Sequence, residues 1–230
     1  MITKLLSTAI KFYLRSQIER VEDLQLKIVG KNSQILKGYI PQVFLSCQQG
    51  VYKGLHLREV KVNSTDIAFN LPEVLKRKPF RLLEPIVAQI ELGLNGNDLQ
   101  ASLDSSLLQS GLNDLWRIIL SADKTTEIDG QLADSPIKWT HIAIADDRLH
   151  LSGTYLDKAD KNRNINLLTD ITLTDECTLC LFPVKIDYSS DITYNLADKL
   201  EIDLGDVAIA ELIIRSKQIR CVGKITIDIE

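Results

Sequence analysis

The residues whose types and spacing come nearest to chemistry are a pair of cysteines, three histidines and a basic loop. Cys177-Thr-Leu-Cys180 has the spacing that a zinc site or a dithiol redox pair needs. Zinc would want two more ligands, and neither Cys47 nor Cys221 has a Cys or His neighbour to supply one. A redox pair opens a helix, whose dipole lowers the thiol pKa. Here the pair lies in Leu173–Pro183, a strand-like stretch with no helix start. All four cysteines therefore read as reduced, small residues packed in or near a sheet. His56, His141 and His150 show no His-x-x-x-His or His-x-x-Glu pairing. His56 and His150 each sit between two leucines and so project from the opposite strand face. There is no G-x-G-x-x-G, no G-K-[ST] loop and no G-x-S-x-G elbow. Asp146-Asp147 and the Asp203/Asp206 pair occupy turn-like contexts where aspartate is common anyway. No enzyme, no metal and no cofactor is the expectation.

The basic loop is more suggestive. Lys76, Arg77, Lys78 and Arg81 surround Pro79 and Phe80. Four cations on one loop suit phosphate headgroups, at about 1 kcal/mol each near an anionic surface, or they simply keep the loop solvated. A second basic feature lies in residues 1–16. There Ile2, Leu5, Leu6, Ala9, Ile10 and Tyr13 recur at helical spacing, with Lys4, Lys11 and Arg15 on another face. That pattern fits an amphipathic helix lying on an anionic bilayer, and equally a terminal helix covering one end of a sheet. The stretch is too short to span a membrane, Lys11 interrupts any signal-peptide core, and no small-residue cleavage site follows. A cytoplasmic, peripherally membrane-associated protein is expected. The charge supports a polarised molecule: residues 1–95 carry +6 and residues 96–230 carry −10. Aromatic residues at 6% are too few for a base-stacking surface, so nucleic acid is not an expected partner.

Strands must position these groups. Leu24, Leu26 and Ile28 alternate into a strand that Gly30 ends, and three β-segments follow from Ser33 to Leu71. Val43, Leu45 and Cys47 keep period two, as do Leu55 and Leu57, but the next inward pair is Val60 and Val62. One extra residue near Arg58-Glu59, as in a β-bulge, would account for the slip and bend the sheet. Ile86 to Leu94 alternates without interruption. Asn97 then reads as an N-cap for a helical segment to Leu120, with Leu99, Leu103 and Leu107 facing the sheet and Gly111 as a kink or stop. The chain returns to strands after Thr126, with a hairpin tip at Asp157–Asn164 and a final hairpin around Ser216-Lys217. No repeat or linker divides it, so residues 1–230 read as one domain.

The runs SQILKGYIPQVFL, GVYKGLHL, KPFRLLEPI and IDLGDVAI resemble the LmeA-like phospholipid-binding family in its cyanobacterial form, over Ile18 to Thr226. The resemblance implies an α+β, TULIP/BPI-like half-barrel, a strongly curved antiparallel sheet wrapping a long helix, with a groove for phospholipid. The expected groove is lined by Leu55, Leu57, Ile90, Leu92, Leu99, Leu103 and Leu107. The expected membrane contacts are Lys76, Arg77, Lys78, Phe80 and Arg81, with Lys4, Lys11 and Arg15. A sixteen-carbon chain offers roughly 12 kcal/mol of burial before the costs of binding. The expected function is non-enzymatic lipid binding with membrane-surface affinity, with lipid transfer as one use of it. The alternative is a protein-interaction scaffold with a fully packed core, and a hydrolase would need a convergent Ser, His and Asp group.

Overall fold

The computed structural model describes residues 18–74, 76, 78, 81–122, 136–157, 159–188, 192–196, 198–215 and 217–229. Within them the period-2 runs become strands β1 (Arg20–Val29), β2 (Tyr39–Tyr52), β3 (Leu55–Ala68), β4 (Ile86–Asn95), β5 (Lys138–Ala145) and β6 (Arg148–Leu156). Next come β7 (Asn162–Asp175), β8 (Thr178–Tyr188), β9 (Ile192–Asn195), β10 (Leu200–Asp203), β11 (Val207–Arg215) and β12 (Gln218–Ile227). All the pairings are antiparallel. They form two sheets, not one. Sheet I has the order β1-β2-β3-β4-β12-β11, and sheet II runs β10-β8-β7-β6-β5 with β9 also on β8. Sheet I is thus closed by the last hairpin of the chain, and sheet II is built wholly from the segment between β4 and β11. No barrel is closed.

The hairpin joining β2 to β3 shows how tightly the chain turns. Lys53 and Gly54 both have positive φ (48° and 77°), as a two-residue type I′ turn requires. A Cβ on Gly54 would press against Ser105 at 3.2 Å, so glycine also lets the turn meet the helical region. The first of the three expected β-segments does not begin as a strand. Asn32–Ile35 is a single helical turn, α1, whose Ile35 is 1% exposed, and β2 starts only at Tyr39; a second single turn, α2, spans Leu71–Val74 after β3.

The expected long helix is broken. Its N-cap is Asn95 and not Asn97: Asp98 N donates to Asn95 Oδ1 (2.8 Å) while Asn95 N donates back to Asp98 Oδ2 (3.0 Å). Helix α3 therefore spans Gly96–Ala101 and passes into a 3₁₀ turn, Ser102–Asp104. Ser105 is extended (ψ 126°), and helix α4 follows over Ser106–Ala122. Two serines cause the break. Ser102 Oγ donates to Asp98 O and accepts from His56 N, and Ser105 Oγ donates to Lys53 O while accepting from Leu108 N. These bonds tie the joint to the β2–β3 hairpin. Gly111 does not end α4, which runs on to Ala122.

The break re-aims the leucine stripe. Leu103 is buried on the 3₁₀ turn, Leu99 packs beside it, and Leu107 is 46% exposed. Leu112, Trp116 and Ile119 form the inward face of α4 instead. They pack on sheet II, against Ile142, Leu151, Leu167, Val184 and Ile186, in one core. Trp116 and Trp139 meet edge to face there, with ring centroids 6.5 Å apart. The helix is therefore seated on sheet II and is not wrapped by sheet I.

Candidate functional site

Sheet I offers what sheet II does not, an extended apolar face that no described helix crosses at its middle. Paired residues in antiparallel strands share a face, so the register gives the composition directly. Leu26, Leu45, Val62, Ile90, Gly223 and Ile209 lie side by side across all six strands. A second row holds Cys47, Val60, Leu92, Cys221 and Leu212. A third runs from Ile28 and Val43 through Ser64 and Ala88 to Ile225 and Val207. The opposite face is polar. Lys61 bridges Glu59 (2.9 Å) and Glu91 (3.6 Å), Arg220 bridges Glu91 (3.3 Å) and Glu211, and Gln42, Asn63 and Gln89 form an amide ladder.

The phase slip seen in the sequence is carried by both strands at once. The β2–β3 ladder keeps one register from Tyr39↔Ala68 to Tyr52↔Leu55, with no residue inserted on either side. A Cβ on Gly50 would nevertheless stand 3.6 Å from Cys47 Sγ, so positions three apart face the same way. Gln49, at φ 47°, absorbs the turn. Leu57 pairs with Gly50, and Val60 with Cys47. Leu55, Leu57, Val60 and Val62 consequently share the apolar face, together with Ile90 and Leu92. Of the seven expected groove residues, the four on strands are brought together; Leu99 and Leu103 join the sheet II core, and Leu107 points to solvent.

The two ends of this face are filled and its middle is half-buried. At one end Ile35 of α1 closes over Leu26, Ile28, Ile40, Ile67 and Phe69. At the other, Leu212, Ile214 and Ile219 merge with the sheet II core. Between them Leu45, Val60, Val62, Ile90, Leu92 and Cys221 all retain some exposure. Cys47 and Cys221 report on this environment, because burial raises the pKa of both thiols, against a backbone hydrogen bond at Val60 that lowers it for Cys47. All four cysteines are free, with Cys177 exposed in the β7–β8 turn and Cys180 buried. A depression of about 480 Å³ over the middle of the sheet is bordered by Lys27, Phe44, Lys61, Gln89 and Glu91, so it opens on the polar side. Another, of about 510 Å³, reaches Leu57 and Leu92 among Glu59, Glu91 and Arg220.

The basic loop lies at the end of sheet I where β3 finishes and β4 begins. Asn70, nearly buried, organises it: Asn70 Oδ1 accepts from Arg81 N (2.8 Å) and Asn70 Nδ2 donates to Glu73 Oε2 (3.2 Å). That hydrogen bond, with the charges of Lys78, Arg81 and Lys76, holds the Glu73 carboxyl below its usual range. Lys78 Nζ is 3.8 Å from Glu73 Oε1. Lys76, Lys78 and Arg81 are exposed. Arg77, Phe80, Lys4, Lys11 and Arg15 lie outside the described residues.

Spacing along the chain hid one pair. His141 on β5 and His150 on β6 stand diagonally across adjacent strands, ring centroids 6.0 Å apart, and His150 Nε2 is 3.4 Å from Ser152 Oγ. Only the β5–β6 register, which sequence periodicity does not fix, could have found it. Among the described residues no carboxylate hydrogen-bonds the second nitrogen of His150. Among them, too, no group of three His, Cys, Asp or Glu side chains could hold a metal ion, and no helix is long and apolar enough to cross a membrane.

The model of one protein family, described as LmeA-like phospholipid-binding, matches residues 1–224. No curated protein and no solved structure matches the chain.

Proposed function

The chain belongs to the LmeA-like phospholipid-binding family, and from that premise we propose that the apolar face of sheet I is where this protein holds lipid acyl chains. One observation carries the reading: an in-register apolar row crosses all six strands, and its middle members Leu45, Val62 and Ile90 stay half-buried, whereas the inward rows of sheet II are sealed. An acyl chain laid across Leu45, Val62 and Ile90, with Leu55, Leu57 and Leu92 beside it, gains about 0.8 kcal/mol for each methylene removed from water. Such binding needs no catalytic group, and the protein acts as a non-enzymatic lipid binder of one domain. Positive φ at Gln49 (47°) and Asp66 (56°) supports a bent sheet of the half-barrel kind that the family resemblance implies.

Lys76, Arg77, Lys78 and Arg81, with Phe80, meet anionic headgroups at the outer end of the sheet. Lys4, Lys11 and Arg15 add to the attraction, and the protein visits the membrane surface peripherally from the cytoplasm to exchange lipid. Extraction of the purified protein followed by mass spectrometry should recover phospholipid in stoichiometric amount. Recovery of none from freshly prepared protein would favour a packed protein-interaction scaffold.

A further inference from the structure

The outer end of sheet I carries five of the exposed aliphatic side chains among the described residues. Leu36, Leu83, Val87, Ile227 and Ile229 are 41–56% exposed. They belong to three separate chain segments that hydrogen bonding gathers at one end. Leu83 N donates to Ala68 O, the Phe69 N–H donates to Gly38 O two residues after Leu36, and Phe69 bridges Leu82. Ile227 pairs with Ile86, the first residue of β4, next to Val87, and Ile229 extends the same strand outward. Isolated surface leucines need no explanation, but five on the turns and strand ends of one pole do.

Cations sit among them. Lys31 and Lys37 flank α1, and Lys76, Lys78 and Arg81 crowd around Glu73. The acidic groups at this pole include Glu73, Asp66, Glu84, Asp228 and Asp206, whose carbonyl accepts from Thr226 N; Glu73 and Asp66 are already bonded, to Asn70 and to the Tyr39 hydroxyl. Aliphatic side chains that project singly from turns, interleaved with lysine and arginine, match the boundary of an anionic bilayer, where apolar groups enter between headgroups and cations meet phosphate. A protein partner would be better served by a continuous, packed patch.

We infer that this pole is a membrane-insertion tip: Leu36, Leu83, Val87, Ile227 and Ile229 enter the headgroup boundary of an anionic bilayer and stand the molecule end-on. The inference rests on the lipid-binding reading for its purpose, since an end-on pose brings the apolar rows of sheet I down to the bilayer, but not for its test.

Sedimentation with vesicles of equimolar phosphatidylcholine and phosphatidylglycerol measures the tip directly. The triple variant Leu36→Ser, Leu83→Ser, Ile229→Ser should lose roughly tenfold or more in vesicle affinity. Leu156→Ser, equally exposed but on sheet II, should lose nothing. Raising salt should weaken the parent only in part, because apolar insertion is not screened. Should the triple variant not fold, Leu83→Ser alone should still show a severalfold loss. The tip is overturned if these variants sediment as the parent does, or if the pole proves to be a contact between two copies, seen as concentration-dependent dimers that Leu83→Ser abolishes. Lipid recovered on extraction is read separately: its absence with tip-dependent vesicle binding intact would sink the lipid-holding face and leave the tip standing.

Discussion

The two sheets are written in the same alternating pattern and have different fates. In sheet II the inward residues Leu151, Ile165, Leu167, Val184 and Ile186 are wholly buried, because α4 lays Leu112, Trp116 and Ile119 over them. In sheet I the equivalent rows through Val60, Val62, Ile90 and Leu92 are only half-buried, because the described helices reach this sheet at its ends alone. An apolar row closed by its own helix builds stability. The same row without one among the described residues is where we propose that a ligand lies.

That contrast can be broken by mutation, and the largest effect should come from the sealed side. Ile119→Ala, or Leu103→Ala on the 3₁₀ turn, should cost about 2–5 kcal/mol in chemical denaturation and leave lipid recovery per folded molecule unchanged. Leu92→Ala, from the half-buried row, should cost less than half as much. Equal costs would mean that sheet I is as tightly packed as sheet II and has no room for a chain.

A second variant sharpens the comparison from the other side. Val62→Thr with Ile90→Thr keeps the β-branched shape and adds two hydroxyls to the centre of the apolar row. Each hydroxyl that meets a hydrocarbon chain without a partner costs about 1–3 kcal/mol, so recovered phospholipid should fall at least tenfold while the protein stays folded. Retention of the parent's lipid load would move the site elsewhere.

How far the sequence carried this picture depends on which residues hold the information. The slip from Leu57 to Val60 was legible, because alternation is local and a departure from it shows directly. So were β4 and the β11–β12 hairpin, whose turn residues and period-2 runs agree. Partner choice was not legible. Nothing in the alternation of Ile142, Ile144 and Leu151 says that they pair among themselves instead of continuing sheet I. The stripe Leu99, Leu103, Leu107 was read correctly as helical and wrongly as one face, since Ser105 is bonded to Lys53, a residue 52 positions away. The His141–His150 neighbourhood was hidden for the same reason.

A smaller effect should appear at that joint. Ser105→Ala removes the cap of α4 and its bond to the β2–β3 turn, and should cost about 1 kcal/mol. If thermal melting shows no change, water replaces the hydroxyl and the joint is not what sets the helix on sheet II. The smallest effect belongs to the β6–β7 tip. Backbone N–H groups of Lys161 and Ala159, with Arg163, hold the Asp157 carboxyl below its ordinary range. A depressed folded pKa stabilises above the unfolded value, near 4, and is lost as pH falls through the folded one. Asp157→Asn should therefore lower the melting temperature slightly at pH 7, and the gap from the parent should close under acid. A gap independent of pH would assign the effect to shape and not charge.

The proposed lipid-holding face can be read at single-residue level through its own cysteines. Cys221 lies in the row with Val60 and Leu92, while Cys177 is exposed in a turn of sheet II. The rate at which N-ethylmaleimide alkylates each can be followed by peptide mass spectrometry, before and after loading with phosphatidylglycerol. Lipid across sheet I should slow the reaction of Cys221 severalfold and leave Cys177 unchanged. An unchanged Cys221 rate in protein shown by mass to carry lipid would contradict the assignment of that face.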